Sequence, residues 1–238
     1  MGPRVLVAQH DDDSGPGLLE APLRLRGCEV RLWFPPREPP PALDDVAGVI
    51  VLGAHANPDD PEAQRWMDAE RRLVREALDR GIPYLGICFG AELLAEVAGG
   101  RTASTYPARI GWRPLEVRLA AGIDPLLEGL ASGHPAFQWH EEGPASPPAA
   151  ALLATSEGAD QAFRVGDTAW GLHFHPEVDM TAVALWSVLG RDQLDRAGVD
   201  PEALRAETAR NEAGQAAFAR LLADRFADLI GAEPAADL

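Results

Sequence analysis

The chain has 238 residues, 46% of them hydrophobic and 6% aromatic, so it can bury one core of ordinary size but not two full-sized domains. Its 21 Lys and Arg residues against 37 Asp and Glu give a net charge of -16, which disfavours nucleic acid and anionic membranes as partners. No apolar run approaches the roughly 18 residues of a membrane-spanning helix, and the first residues lack the apolar core of a signal peptide. We therefore expect a cytoplasmic protein.

Short strands and amphipathic helices alternate along the first hundred residues. Strands are predicted at residues 4–8, 28–34, 46–52 and 82–87, and helices at residues 17–27, 61–80 and 90–98. This order predicts an α/β fold with a mostly parallel sheet, helices on both faces, and ligands at the carboxyl ends of the strands. Residues after Gly100 are strand-rich, and helices dominate after Pro176. We expect a main domain over residues 1–190 and a helical extension over residues 191–238 that packs on it.

A cysteine framed by glycines lies where a buried strand meets a helix, in Gly86-Ile87-Cys88-Phe89-Gly90. The two glycines permit a sharp turn that exposes the thiol at the edge of the sheet. A helix N-terminus at this point favours a thiolate, and the backbone N–H of Phe89 is placed to face an oxyanion. The alternative is a buried core cysteine, which is our interpretation of Cys28.

A candidate base and its orienting group follow in the segment HFHPE. His175 is predicted at the end of a strand, and Glu177, two residues later, then lies on the same side, where its carboxylate can orient the imidazole. The alternative for His173 and His175 is a metal site, but no third ligand with suitable spacing accompanies them, so no metal is expected. No phosphate-binding loop or dinucleotide motif is present, so no cofactor is expected either. His10, His55 and His134 are interpreted as bystanders.

These two segments, GICFGAE and HFHPE, resemble the class I glutamine amidotransferases, and the resemblance extends from about Val5 to Trp186. It is closest to the stand-alone branch that is similar to GMP synthase. The family implies a flavodoxin-like three-layer αβα sandwich. It also implies Cys88 as the nucleophile that forms a γ-glutamyl thioester, His175 as general acid and base, and Glu177 as its partner.

The same resemblance assigns the pocket. It implies an oxyanion hole from the backbone N–H groups of Phe89 and of the Gly53-Ala54 turn. The implied substrate-binding residues are Gly53, Glu92, Gln138, Trp139, His140 and His173. Trp139 in the loop FQWHEEG has packing alone as its alternative role.

Several positions depart from the family pattern. Glu92 replaces a glutamine that helps to seat the amino-acid end of the substrate, and His173 also replaces a glutamine. Gly53-Ala54-His55 replaces a motif with two glycines, and Arg109 replaces an acidic residue. None of these changes affects the predicted triad, so the sequence predicts intact thioester chemistry in an altered pocket.

Three functional hypotheses remain open. The chain is a glutaminase-type amidotransferase that passes ammonia to a separate synthase or ligase, or a stand-alone hydrolase of a small-molecule γ-glutamyl amide or peptide, or a non-enzymatic relative with a binding or regulatory role. The intact Cys-His-Glu set argues against the third hypothesis. Glu92 favours the second.

Overall fold

A computed structural model describes residues 2–55 and 61–232, with only the backbone described at residues 102–107, 142, 144 and 145. These residues form ten strands and six α-helices. Strands and helices alternate in the first half of the chain, whereas the second half is first strand-rich and then helical. This order confirms the predicted α/β class.

The strands form one large sheet and one small one. The strands are β1 (Arg4–Ala8), β2 (Glu29–Trp33), β3 (Gly48–Val51), β4 (Tyr84–Ile87), β5 (Arg101–Pro114), β6 (Glu116–Val117), β7 (Pro135–Ala145), β8 (Ala151–Ser156), β9 (Ala159–Val165) and β10 (Ala169–Leu172). The large sheet has the order β2-β1-β3-β4-β10-β9-β8-β6. Its first five strands are parallel and the remaining three run antiparallel, so the sheet is mostly parallel, as predicted. β5 and β7 pair separately as an antiparallel ribbon.

Helices cover both faces of the large sheet. They are α1 (Glu20–Leu25), α2 (Pro61–Asp79), α3 (Phe89–Val97), α4 (Met180–Leu189), α5 (Arg191–Ala197) and α6 (Pro201–Leu229). Side chains alternate along β1, so Val5 and Val7 belong to one hydrophobic core and Leu6 and Ala8 to another. The first core includes residues of α1 and α6, and the second includes residues of α2 and α3. The result is a three-layer αβα arrangement, which explains why the central strands are apolar on both faces.

The C-terminal helices belong to the same body as the sheet. Phe218, Leu222 and Phe226 of α6 are buried in the core that contains Val5 and Val7. Asp200 caps this helix by accepting a hydrogen bond from the backbone N–H of Glu202 at 3.2 Å. The extra C-terminal helices are thus confirmed, while a domain boundary near residue 190 stays a prediction. No helix in the described residues is long and apolar enough to cross a membrane.

Candidate active site

Cys88 lies in a sharp turn between β4 and α3, as its glycine frame predicted. Its backbone has φ 51° and ψ -108°, a left-handed conformation that is strained for a residue with a side chain. A Cβ at Gly86 would lie 2.2 Å from the carbonyl oxygen of Gly90, and a Cβ at Gly90 would lie 2.2 Å from that of Val51. Only glycine allows the start of α3 to pack this closely on the strands, and this packing places Cys88 at the sheet edge.

His175 and Glu177 form a buried hydrogen-bonded pair beside Cys88. Nδ1 of His175 lies 2.7 Å from Oε1 of Glu177. One detail of the sequence prediction is wrong, because β10 ends at Leu172 and the two side chains meet in the turn beyond it rather than by strand alternation. Gly53, just after β3, lies beside both His175 and Cys88. A Cβ at Gly53 would lie 3.4 Å from Cε1 of His175 and 3.7 Å from Cβ of Cys88.

Burial and neighbouring charges shift the pKa values of His175 and Cys88. Burial lowers the pKa of His175, but Glu177 and Cys88 outweigh that effect and hold it well above its ordinary value. Burial raises the pKa of the Cys88 thiol, His175 opposes the rise, and Glu92 and Glu177 add to it. Burial and the two carboxylates therefore outweigh the helix N-terminus in setting the pKa of Cys88, contrary to the sequence expectation.

Two supports of the His175 turn come from distant parts of the chain and have no signal in the sequence. Nε2 of Gln215, on α6, donates to the carbonyl oxygens of His175 at 2.7 Å and Val178 at 3.3 Å. The backbone N–H of Leu18 donates to the carbonyl oxygen of Glu177 at 2.8 Å. Beside it, a Cβ on Gly17 would lie 2.1 Å from that oxygen, so only glycine permits the approach.

Glu92 and His173, two of the departures from the family pattern, contact each other. Nε2 of His173 lies 3.0 Å from Oε1 of Glu92. Burial raises the pKa of Glu92 to about 7, although His175 opposes this, and burial with the positive charges of His175 and Arg109 lowers the pKa of His173 to about 3. His173 is therefore a neutral partner, and Glu92 is ionised in about half of the molecules near neutral pH.

Arg109, another departure from the family pattern, makes no ion pair with Glu92 among the described residues. Nη1 of Arg109 instead donates to the carbonyl oxygen of Ser156 at 2.8 Å, on β8. The ring of His140 lies against that of His173, with centroids 3.8 Å apart. The neighbours of Glu92 are thus the imidazole of His173 and, behind it, His140.

A cavity of about 630 Å³ opens over Cys88. Most of the residues predicted for the site line it: Cys88, His175, Glu177, Gly53, Ala54, Phe89, Glu92, Trp139 and His140. Two do not line it: Gln138 is fully buried, and His173 lies behind Glu92. Trp139 is held by a 2.8 Å hydrogen bond from Nε1 to Oε1 of Gln193 and by the ring of Trp186, so it both packs and borders the cavity.

The cavity wall carries more negative than positive side chains. Glu92, Glu96, Glu141 and Glu177 line it. Arg71 also lines it, but its guanidinium is bound by Glu96 at 3.0 Å and by Asp68 at 2.9 Å. Glu96, Glu141 and Glu177 are in turn paired with Arg71, Arg196 and His175, so the carboxylate whose charge bears most on a negatively charged ligand group is Glu92.

His10, interpreted from the sequence as a bystander, supports the turn that follows β3. Its Nδ1 lies 3.0 Å from the carbonyl oxygen of Gly53, and its Nε2 lies 3.0 Å from Oε2 of the fully buried Glu70. Burial lowers the pKa of His10, but Glu70 outweighs it, so the pKa stands above its ordinary value. This buried pair holds the Gly53-Ala54 turn next to Cys88.

The residues that could hold a metal ion lie at the same site. Ligand atoms of Cys88, Glu92 and His173 all lie within 4.8 Å of one another. The fold thus groups His173 with Cys88 and Glu92 of the α3 turn rather than with His175, the neighbour in sequence that was considered for a metal site.

Comparison with known proteins relates this site to others. Residues 16–184 match the family described as Glutamine amidotransferase class-I. The chain is 35% identical over 151 residues to a GMP synthase [glutamine-hydrolyzing] of Thermomicrobium roseum, a match that covers 62% of this chain and 26% of that protein. It is 28% identical over 151 residues to the glutamine amidotransferase-like protein YfeJ of Salmonella typhimurium, covering 60% of this chain and 62% of that one.

The fold is similar to that of solved relatives. The crystal structure of a glutamine amidotransferase from Thermotoga maritima matches with a TM-score of 0.84 at 28% identity, over 94% of this chain and 97% of that one. The matched part of the chain corresponds to about a quarter of the Thermomicrobium GMP synthase. Since the family match covers more than half of the sequence and includes the Cys88 turn and the His175 segment, the chain belongs to the class I glutamine amidotransferase family.

Proposed function

We propose that this protein cleaves γ-glutamyl amide bonds through a covalent thioester on Cys88. The observation that carries the proposal is the convergence of a strained cysteine turn and a buried His175–Glu177 pair on one cavity. A nucleophile, a base and a group that orients the base are the parts that such chemistry needs. Membership of the family supports the same reaction.

The proposed reaction has two steps. Sγ of Cys88 attacks the carbonyl carbon of the amide, and its proton passes through His175 to the nitrogen, which leaves as ammonia or an amine. Water deprotonated by His175 then attacks the thioester, which releases the γ-carboxylate and returns the proton to the thiol. Glu177 keeps the imidazole in one tautomer and stabilises its cation. The backbone N–H groups of Phe89 and Ala54 are proposed to stabilise the oxyanion.

The charge of the cavity bears on the substrate. Glu92 replaces a family glutamine that seats the amino-acid end of the substrate, and three further carboxylates line the cavity. The α-carboxylate of free glutamine is disfavoured there whenever Glu92 is ionised. Every γ-glutamyl amide carries the same α-carboxylate, so this repulsion acts on the glutamyl part of the substrate and not on the choice of amine. We propose glutamine or a larger γ-glutamyl amide or peptide as the substrate, bound with Glu92 protonated, with water as the acceptor of the glutamyl group.

The second candidate function is transfer of ammonia to a separate synthase or ligase. It is favoured by the similarity to the glutamine-hydrolyzing GMP synthases, whose names combine the two activities. In that case the partner has to accept ammonia from the cavity over Cys88, and free glutamine has to be a good substrate. A purely binding or regulatory role has less support, because it leaves the buried His175–Glu177 pair beside Cys88 without a use.

The test is to incubate the purified protein with glutamine and with a panel of γ-glutamyl amides and to measure ammonia, amine and glutamate separately. Hydrolysis requires amine and glutamate in equal amounts without any other protein. Cys88→Ala is the control variant, and circular dichroism shows whether it still folds. Turnover of glutamine that appears only with cell lysate would favour ammonia transfer, and no turnover of any γ-glutamyl amide would refute both enzymatic functions.

A further inference from the structure

We propose that Cys88, Glu92 and His173 form a binding site for a Zn²⁺-type transition-metal ion, and that the ion inhibits the enzyme by occupying the nucleophile. Ligand atoms of the three side chains already lie within 4.8 Å of one another. The metal-binding part of this proposal does not depend on the reaction catalysed. The inhibitory part rests on the proposed function.

The chemistry of the three side chains suits zinc. A thiolate sulfur binds Zn²⁺ at about 2.3 Å and an imidazole nitrogen or a carboxylate oxygen at about 2.0–2.2 Å. Ligand atoms in a tetrahedral site of that size lie roughly 3–4 Å apart, so the observed grouping needs only small side-chain movements. Three protein ligands leave a fourth position for water, the arrangement found in zinc sites that are open to solvent. A set of this kind, with one soft thiolate, does not suit Mg²⁺ or Ca²⁺.

The backbone holds the three ligands on rigid elements. Cys88 is the N-cap residue of α3 and Glu92 lies in the first turn of that helix, so both ligands are carried by the same helix end. His173 follows β10, and its backbone N–H donates to the carbonyl oxygen of Gln161 at 2.8 Å, which fixes it to β9. The neighbouring ring of His140 limits rotation of its imidazole. Such preorganisation reduces the ordering that a metal has to impose.

A second observation points to a ligand at the same place. The His173 side chain is only 1% exposed, and its Nε2 is held 3.0 Å from Oε1 of Glu92, so a ring nitrogen and a carboxylate oxygen already face each other in a buried place. The cavity beside it is lined by several carboxylates, and the chain has a net charge of -16, so cations are attracted to this region.

Metal binding releases protons from the ligands and involves no other reactant. A metal–sulfur bond to Cys88 forms as the thiol proton passes to solvent, and any proton on Glu92 is released as its oxygen coordinates. No oxidation or reduction takes place. While the ion is bound, the sulfur lone pair is engaged and cannot attack an amide carbonyl, so turnover stops until a chelator removes the metal.

The test uses Co²⁺ as a spectroscopic substitute for Zn²⁺ and does not require turnover. The metal-free protein is titrated with Co²⁺, and we expect one equivalent to produce a thiolate-to-cobalt charge-transfer band that one equivalent of Zn²⁺ removes. Cys88→Ser should abolish the band. His173→Gln and Glu92→Gln, which introduce the family's usual residues, should each weaken binding by more than about tenfold. Cys28→Ser, which changes a buried cysteine that does not line the cavity, should leave the titration unchanged.

The outcomes separate this proposal from the proposed function. Absence of the band in the unaltered protein, or a full band with unchanged affinity in His173→Gln, would overturn the metal site. Thermal unfolding of each metal-free variant shows whether a lost band reflects a lost ligand or a lost fold, and Glu92→Gln gives a second, independent variant. If the band forms as expected but no γ-glutamyl amide is hydrolysed by the metal-free protein, the metal site stands and the proposed function fails. Hydrolysis that continues with Zn²⁺ bound would overturn the inhibitory role.

Discussion

Replacement of Glu92 by glutamine should improve the use of free glutamine, and the improvement should depend on pH. In the proposed binding mode the α-carboxylate of glutamine lies close to the Glu92 carboxyl group. Two negative charges about 4 Å apart repel by roughly 4 kcal/mol at an effective dielectric constant near 20. Protonation of Glu92 avoids this cost. Because burial raises the pKa of Glu92 to about 7, protonation at about pH 8 costs only about 1.4 kcal/mol. The protein should therefore bind glutamine with Glu92 protonated.

The size of the effect follows from the fraction of protein in which Glu92 is protonated. That fraction falls as pH rises through about 7, so the penalty on kcat/KM is about 1.1-fold at about pH 6 and about 11-fold at about pH 8. Glu92→Gln removes it, and the ratio of variant to unaltered kcat/KM should rise from near unity to about ten over this interval. The assay is steady-state release of ammonia from glutamine in buffer that contains EDTA.

Two controls isolate the repulsion. Glu92 also raises the pKa of Cys88, so its removal changes the nucleophile with every substrate. 4-Aminobutanamide is glutamine without its α-carboxylate, and with this compound the ratio should show only the effect on the nucleophile. Glu76→Gln removes an exposed carboxylate on α2 that pairs with Arg80, and it should leave both ratios flat. A ratio for glutamine that does not change between pH 6 and pH 8, or that changes equally for both compounds, would refute the reasoning.

Three further predictions concern the remaining machinery. A chloroketone analogue of glutamine should add mass at Cys88 and not at buried Cys28 in intact-protein and peptide mass spectra, and equal labelling would contradict a special role for Cys88. His175→Asn should lower kcat to near the background rate, whereas Glu177→Gln should leave measurable turnover because the base remains; equal losses in steady-state assays would count against these roles. Gln215→Leu should lower kcat with little change in KM and lower the free energy of unfolding by roughly 1–3 kcal/mol, because it removes two buried hydrogen bonds to the His175 turn. A loss of stability in urea unfolding without any change in kcat would limit Gln215 to a structural role.

The features that could be predicted from the sequence are those set by neighbouring residues. The glycines around Cys88 indicated a turn because only glycine tolerates the close contacts there, and the structure shows those contacts. His175 and Glu177 are two residues apart, so their meeting could be expected even though the supposed strand ends earlier. Continuous apolar runs likewise predicted strands covered on both faces.

The features that could not be predicted depend on contacts between residues far apart in the chain. Gln215 is one polar residue in a long helix, and nothing near it indicates that it binds the carbonyl oxygen of His175. His10 follows the first strand, and only the parallel arrangement of β1 and β3 brings it to the carbonyl oxygen of Gly53. The pKa of Cys88 was expected to fall at a helix N-terminus, but burial beside two carboxylates, which the sequence does not reveal, raises it.

The contact between Glu92 and His173 changes how the departures from the family pattern are understood. Taken one at a time, the replacement of a family glutamine by Glu92 or by His173 need not change the substrate. In the fold they are partners at 3.0 Å, and a histidine with a pKa near 3 cannot neutralise a carboxylate as an ion pair would. His173 can supply a hydrogen bond but no positive charge at neutral pH. The charge of ionised Glu92 is therefore not offset by His173, so above about pH 7 the pair favours a cationic or neutral group over the carboxylate that a glutamine at position 92 would accept.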